Sequence, residues 1–242
     1  MPDKRTHRGA HPEDAKLFAP SQWAVLRQAV RDYSLLLSKG YADKSSLKLV
    51  GDRFALRQRQ RTAVMRCGCS DQARANRLQK QLCQKDITEQ TLLLDGYNAI
   101  TTVESALAGG VILIGRDGCF RDLAGIHGTY RKVEETIPAI NLIGKFISQA
   151  VIKKCIWYLD SPVSNSGRLK LMLLDLAQTH NWSWQVEVVY SPDGILARAE
   201  DTVASCDSVI LDSCPRWFNL ARQVIYTYIP DTNLVDLSYI DN

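Results

Sequence analysis

From Ser21 the apolar positions fall on a helical period, with Trp23, Leu26, Ala29, Val30, Tyr33, Leu36 and Leu37 recurring at spacings of three and four until Gly40. A second, short helix is predicted from Asp43 or Ser45 through Leu47, Leu49 and Val50, broken at Gly51. A third is predicted over 56–66 and a fourth over 71–84. Nothing before residue 85 alternates in the way a half-buried strand does, so 21–85 reads as a small all-α bundle behind an irregular stretch punctuated by Gly9, Pro12 and Pro20.

At Gln90 the pattern changes to short apolar runs separated by amphipathic stretches. Strands are predicted over 92–95, 111–115, 155–160, 184–190, 208–212 and 224–229. Between them, helices are predicted over 137–154 and 168–179, from Pro192 through Leu196, Ala199 and Val203, and over 215–222. Thr101-Thr102-Val103-Glu104 has the form of a capping box that opens a short helix ended by Gly109-Gly110. The strands on either side would make a compact, right-handed βαβ unit. Residues 116–136 read as a long polar loop, a length that usually signals function. Alternating strands and helices predict an α/β class with a mostly parallel, three-layer sheet. The expected organisation is a helical domain over 1–88 and an α/β domain over 89–242.

Composition is ordinary for a globular protein, at 45% hydrophobic and 23% charged residues. No run approaches the roughly 18 apolar residues of a membrane span. The first residues lack the apolar stretch of a signal peptide, so a cytoplasmic protein is expected. Seven scattered cysteines fit a reducing compartment. Cys67-Gly68-Cys69 with Cys83 does not have the spacing of a zinc ribbon or finger. Charge is asymmetric: residues 1–90 hold 18 Lys/Arg against 9 Asp/Glu, whereas 91–242 hold 12 against 17. That pattern suggests a basic binding module joined to an acidic domain.

Three of the apolar runs stop on an aspartate, at Asp95, Asp160 and Asp212, and Asp117 follows a fourth by two residues. Singly, each is common turn or N-cap chemistry. Together, at the carboxyl ends of parallel strands where α/β sheets bind ligands, they would repel one another unless a cation sat among them. Oxygen-only ligands suit Mg²⁺ or Mn²⁺, ions that activate water and neutralise a phosphodiester oxyanion. Tyr97 stands where a haloacid-dehalogenase-type phosphatase places its second Asp, and no GxGxxG or GxxxxGK[ST] follows any strand.

Leu93-Leu94-Asp95-Gly96-Tyr97-Asn98 resembles the end of the first strand in PIN/NYN-type nucleases. The run from Glu200 and Asp201 to Asp212 is similar to that family's acid-bearing helix and following strand, although it ends in a lone Asp212 followed by Ser213-Cys214. The resemblance implies a PIN/NYN-like α/β fold and metal-dependent nuclease chemistry, with Asp95, Asp160, Asp201 and Asp212 as catalytic acids. Asp95, Asp160, Asp212 and Asp117 would be the metal ligands. Nearly the whole chain also resembles a little-characterised bacterial and archaeal family of unknown function that joins a basic helical domain to such an α/β domain. The motifs carrying that likeness are RGAHPEDAKLF, LKLVGDRF, LDGYNAITTVESAL, RDLAGIHGTYRKVEET, YLDSPVSNSGRL and SCDSVILDSCPRWFNLAR.

Phosphate binding has its own candidates. Ser164, Asn165, Ser166 and Arg168 lie at a strand-to-helix junction, where free amides and side-chain donors favour an anion, although a plain helix cap accounts for them as well. Asn98 follows the first strand-end acid, and the long loop supplies Arg116, Arg121, His127, Tyr130, Arg131 and Lys132. In the bundle, Lys48, Arg53, Arg57 and Arg61 are placed to follow a nucleic-acid backbone. Trp157, Trp182, Trp184 and Trp217 are expected in the core. The function expected is Mg²⁺- or Mn²⁺-dependent hydrolysis of nucleic acid, RNA before DNA, with no membrane partner and the oligomeric state left open. Two rivals stand beside it: a nucleic-acid-binding protein without catalysis, and an enzyme acting on a small phosphorylated metabolite or nucleotide.

Overall fold

The computed structural model describes residues 7–124 and 130–238. A single turn, α1 (Asp14–Leu17), leads into α2 (Pro20–Ser38), α3 (Asp43–Arg53), α4 (Gln58–Cys67) and α5 (Asp71–Lys80). Proline opens α2, where its missing N–H costs nothing, and the Ser70 hydroxyl caps α5 by accepting from the Ala73 amide. The periodic residues read from the sequence are the ones that pack: Leu26, Ala29, Val30 and Tyr33 of α2 meet Val50, Ala63 and Val64.

The chain then builds β1 (Gln81–Leu82), β2 (Thr91–Asp95), α6 (Gly96–Leu107), β3 (Ile112–Ile114), β4 (Phe120–Asp122) and α7 (Thr136–Gln149). It continues through β5 (Lys154–Asp160), α8 (Ser166–His180), β6 (Trp184–Val189), α9 (Pro192–Leu196), β7 (Thr202–Ala204) and α10 (Ser208–Ser213). Last come β8 (Trp217–Phe218), α11 (Leu220–Tyr228) and β9 (Leu234–Asp236). The main sheet has the order β1-β8-β7-β2-β5-β6, and every neighbouring pair is parallel. Alternate residues of β2 and β5 face opposite ways, as the period of two requires. Leu92, Leu94, Cys155, Trp157 and Leu159 point into a core shared with α6, α7, α8 and α11. Leu93, Ile156 and Tyr158 point to the other face, under α9 and α10.

Several expectations are corrected. α6 begins directly at Gly96, so Thr101–Glu104 lies inside a helix and is not a capping box. Gly96 is required by close approach: a Cβ there would lie 2.9 Å from the Tyr158 carbonyl oxygen and 2.6 Å from Leu159 Cδ2. β3 does not join β2 in a βαβ unit. It belongs to a second sheet of order β4-β3-β9, antiparallel to β4 and parallel to β9. That sheet carries Val111, Leu113, Leu123, Val235 and Leu237 into the core of the helical bundle, so the basic helices and the α/β region share buried surface. The polar loop contains β4, whose buried Arg121 bonds to Asp117 and the Cys206 carbonyl and whose buried Asp122 bonds to Thr102 and Arg66.

The C-terminal third is displaced. The helix expected through Val203 stops at Leu196, and Thr202-Val203-Ala204 is a central strand. Residues 208–212, expected as a strand, form α10, because Asp207 caps it by accepting from the amides of Val209 and Ile210. Around 215–229 strand and helix are likewise exchanged. Val224 and Ile225 pack with Leu220 and Ala221 on one helical face, a period that their β-branched composition masks in a short window.

The candidate functional site, an acidic cleft

Asp95 ends β2 and stands at the N-terminus of α6, while Asp160 ends the neighbouring strand β5. Both continue the strand parity of Leu93 and Tyr158, so they face the side covered by α9 and α10. Asp193 arrives there in the first turn of α9, directly after β6, and Asp207 caps α10 just after β7. All four acids line a cleft of about 820 Å³ between the carboxyl edge of the sheet and the helical bundle. The bundle contributes Tyr33, Tyr41, Met65 and Arg66 to the opposite wall.

Charge repulsion marks the site. Burial pushes the Asp95 carboxyl up to about 7; a hydrogen bond from Ser205 opposes this, and the charges of Asp207 and Asp193 add to it. The Ser205 hydroxyl donates to Asp95 Oδ2 at 2.8 Å and accepts from the Asp207 amide at 3.0 Å. The Asp160 carboxyl is raised by burial and by Asp193, and Asp193 by burial and Asp207. Asn98 turns its carbonyl oxygen to the Cys206 thiol, 2.6 Å away. Tyr97 lines the same cleft at 6% exposure, and its hydroxyl finds no hydrogen-bond partner among the described residues. A buried phenol is ordinarily satisfied, which makes it a marker of the position a ligand would take. Among the described residues, no group of three or more His, Cys, Asp or Glu side chains is gathered tightly enough, as it stands, to hold a metal ion.

Of the acids expected from the sequence, Asp95, Asp160 and Asp212 line the cleft, whereas Asp117 and Asp201 do not. Asp117 is 1% exposed, with Arg121 Nη1 2.8 Å from Oδ1 and with Arg121 Nη2 and Arg77 Nη1 each 2.7 Å from Oδ2. Burial alone would raise its carboxyl, but Arg121 and then Arg77 hold it well below the usual carboxylate range. Both of its oxygens are committed to arginine, so it offers a metal no lone pair on the acidic edge. Arg121 is likewise no loop cation: it is buried, and its Nε donates to the Cys206 carbonyl at 2.9 Å, propping the turn that carries Asp207. Asp212 ends no strand. It lies in α10, half-exposed, and pairs with Arg77 Nε at 2.6 Å on the flank of the cleft. Asp201 precedes β7, at the opposite end of the strands from Asp95. Arg116 donates to the Cys69 carbonyl and to Asp71. His127 lies outside the described residues.

The phosphate candidates form a second place. Asn165 and Arg168 meet Arg131 and Lys132 around a cavity of about 260 Å³. Ser166 is buried in the first turn of α8, and Ser164 is exposed beside it. In the bundle, Lys48 and Arg61 share Asp52 at 2.7 and 2.8 Å, Arg53 pairs with Asp32 at 3.3 Å, and Arg57 is exposed at the start of α4. Part of the basic surplus is therefore consumed internally: Arg66 and Arg77 reach across to Asp122, Asp117 and Asp212. The residues missed were Asp193, Ser205 and Asp207. Asp193 has a legible signal, a strand followed by Ser191-Pro192-Asp193, whereas Asp207 was hidden by the misplaced strand.

The molecule is thus an α/β protein with a parallel sheet whose carboxyl edge opens into an acid-lined cleft roofed by a helical bundle. The chain belongs to the family described as Domain of unknown function (DUF5616), whose model matches residues 84–223. A second model, Protein of unknown function (DUF434), matches residues 25–80 of the bundle. The chain is 29% identical over 188 residues to an uncharacterized protein of Methanocaldococcus jannaschii, covering 78% of this chain and 89% of that protein. No solved structure gives a significant match. Among the described residues, no helix is long and apolar enough to cross a membrane.

Proposed function

We propose that this protein is a divalent-cation-dependent phosphodiesterase acting on nucleic acid, RNA before DNA, with the acidic cleft as its active site. The observation that carries the reading is Asp95. A carboxylate raised to about 7 by burial and by Asp207 and Asp193, in a cleft also lined by a Tyr97 hydroxyl without a partner among the described residues, is an arrangement completed by a cation and an oxygen-rich ligand. The donors are all oxygen, which suits Mg²⁺ or Mn²⁺. Such a cation would supply charge neutralisation at the phosphate and a more acidic bound water.

The chain's own groups have separable tasks. Asp95 and Asp160 would be the leading ligands of a cation, with Asp193 and Asp207 lining the same cleft. Tyr97 and Asn98, which line the same cleft, are the proposed donors to a phosphate oxygen. The likeness of Leu93–Asn98 to PIN/NYN-type nucleases supports the same chemistry. The cytoplasm is the proposed compartment, because the seven cysteines are all free.

The test is Mn²⁺-supported cleavage of single-stranded RNA, structured RNA and tRNA, with a mononucleotide and a phosphorylated sugar alongside. Asp160→Asn and Asp207→Asn are each expected to lower turnover by orders of magnitude while leaving RNA affinity in EDTA intact. Cleavage of the small molecules alone would make this a metabolite enzyme. RNA binding without metal-dependent cleavage of any substrate would reduce it to a binding protein.

A further inference from the structure

Between the acidic cleft and the 260 Å³ cavity stand two aromatic rings in tilted contact. Tyr97 lines the cleft and Tyr130 lines the cavity, with ring centroids 5.1 Å apart and planes inclined by 50°. The wall is held rigidly. The Tyr130 hydroxyl donates to the fully buried Glu104 at 2.5 Å, the Arg8 guanidinium lies 5.0 Å above its ring, and its carbonyl accepts from Asn165 Nδ2 at 3.0 Å. Asn165 reaches that carbonyl from a left-handed backbone conformation, φ +71°, which asparagine tolerates better than other side chains.

The two spaces have opposite character. The cleft is edged by carboxylates. The cavity is floored by Leu169, Met172 and the Tyr130 ring, and its charged lining residues, Arg131, Lys132 and Arg168, are all cations. Asp160 and Asn165 sit at the two ends of one turn, and five residues span at most roughly 18 Å even when extended. At 260 Å³ the cavity is smaller than the roughly 300–1,000 Å³ of pockets for drug-sized ligands, which suits a single nucleoside and excludes a duplex.

We infer that this cavity is a nucleotide subsite for single-stranded nucleic acid: a base settles on Leu169, Met172 and Tyr130, while Lys132, Arg131 and Arg168 take its flanking phosphates. The inference rests on the cleft being the place of phosphodiester cleavage, and it assigns the substrate as an unpaired strand bound beyond the scissile bond. An apolar floor with a cationic rim is the combination that sequence-tolerant single-strand binding uses. The Tyr97–Tyr130 wall then sets the spacing between the nucleotide held and the bond cut.

The test uses the full chain with a labelled single-stranded RNA hexamer, its binding followed by fluorescence anisotropy in EDTA. Beside it runs Mn²⁺-dependent hydrolysis of bis(4-nitrophenyl) phosphate, too small to reach from the cleft into the cavity. Lys132→Ala combined with Arg168→Ala is expected to weaken hexamer binding at least about tenfold, and more weakly so as salt is raised. Met172→Trp, which fills the cavity and keeps its cations, is expected to weaken binding about fivefold. Neither should change hydrolysis of the small diester by more than about twofold. Hexamer affinity unchanged in both variants, or no hexamer binding by the unaltered protein, overturns the subsite. Weakened binding in a protein that cleaves no substrate supports the subsite and removes the nuclease.

Discussion

Replacing Asp117 by Asn takes one negative charge from between two buried guanidiniums. Arg77 is 3% and Arg121 6% exposed at the side chain, and both donate to Asp117, which also accepts the Cys119 amide at 3.1 Å. After the change Arg77 keeps Asp212, but Arg121 keeps only neutral acceptors, the Cys206 carbonyl and the amide oxygen of the new side chain, among the described residues. Removing one partner of a buried pair costs about 3–5 kcal/mol, because the remaining charge stays desolvated. For a chain of this length that is a fall of roughly 6–20 °C in Tm. Urea unfolding followed by fluorescence of the fully buried Trp157 and Trp217 measures it, and the midpoint should fall with the slope unchanged. Asp117 has a folded pKa below its unfolded one, so its stabilisation is complete above the ordinary carboxylate range. It fades only as pH drops well below that range. The gap between the two proteins should therefore be constant from pH 5 to 8. A loss below about 1 kcal/mol, or an Asn variant that stays stable and loses its response to Mn²⁺, would refute the reasoning and return Asp117 to the metal ligands.

Asp95 carries the opposite sign: its folded pKa, about 7, lies above its unfolded value, so ionisation costs stability as pH rises from about 4 and the cost is complete above 7. Asp95→Asn should accordingly raise Tm of the metal-free protein at pH 8 and leave it unchanged at pH 4, and Mn²⁺ should raise Tm of the unaltered protein only, as differential scanning fluorimetry would read directly. A fragment of residues 1–88 lacks Val111, Leu113, Leu123, Val235 and Leu237, which complete the bundle's core, so it should show helical far-ultraviolet dichroism without a cooperative thermal transition. A sharp transition in that fragment would establish the bundle as a domain that folds alone.

The helices of the first 80 residues were legible because the amphipathic windows repeat their period, and Gly40 and Gly68 mark the ends of α2 and α4; the break expected at Gly51 is absent, since α3 runs through it to Arg53. Strands β2, β5 and β6 were legible because they are buried runs bounded by polar turns. Strand β7 and helix α10 were not: Thr202–Ala204 and Ser208–Ser213 are each too short for periodicity to separate helix from strand, and what decides them is the Asp207 cap and the place of β7 between β2 and β8. The same limit governed the site. Asp95 and Asp160 were visible at the ends of well-read strands. Asp117 shared their local sequence signature, but its fate depends on Arg77, 40 positions away in the chain. The charge asymmetry was also real, yet local counting does not reveal how much of it closes on the chain's own acids.

Strand β9 has a bearing on how the molecule is made. Val235 and Leu237 are buried in the core of helices α2–α4, and β9 pairs with β3 across more than a hundred residues. Synthesis runs from the N-terminus at about 5–20 residues per second. The bundle emerges from the ribosome before β9 and therefore waits roughly 8–30 s for that strand, some 150 residues later, before its apolar face is covered. During that interval the exposed surface is the α2–α4 seam, and so the nascent chain is most vulnerable to aggregation there until β9 has been made.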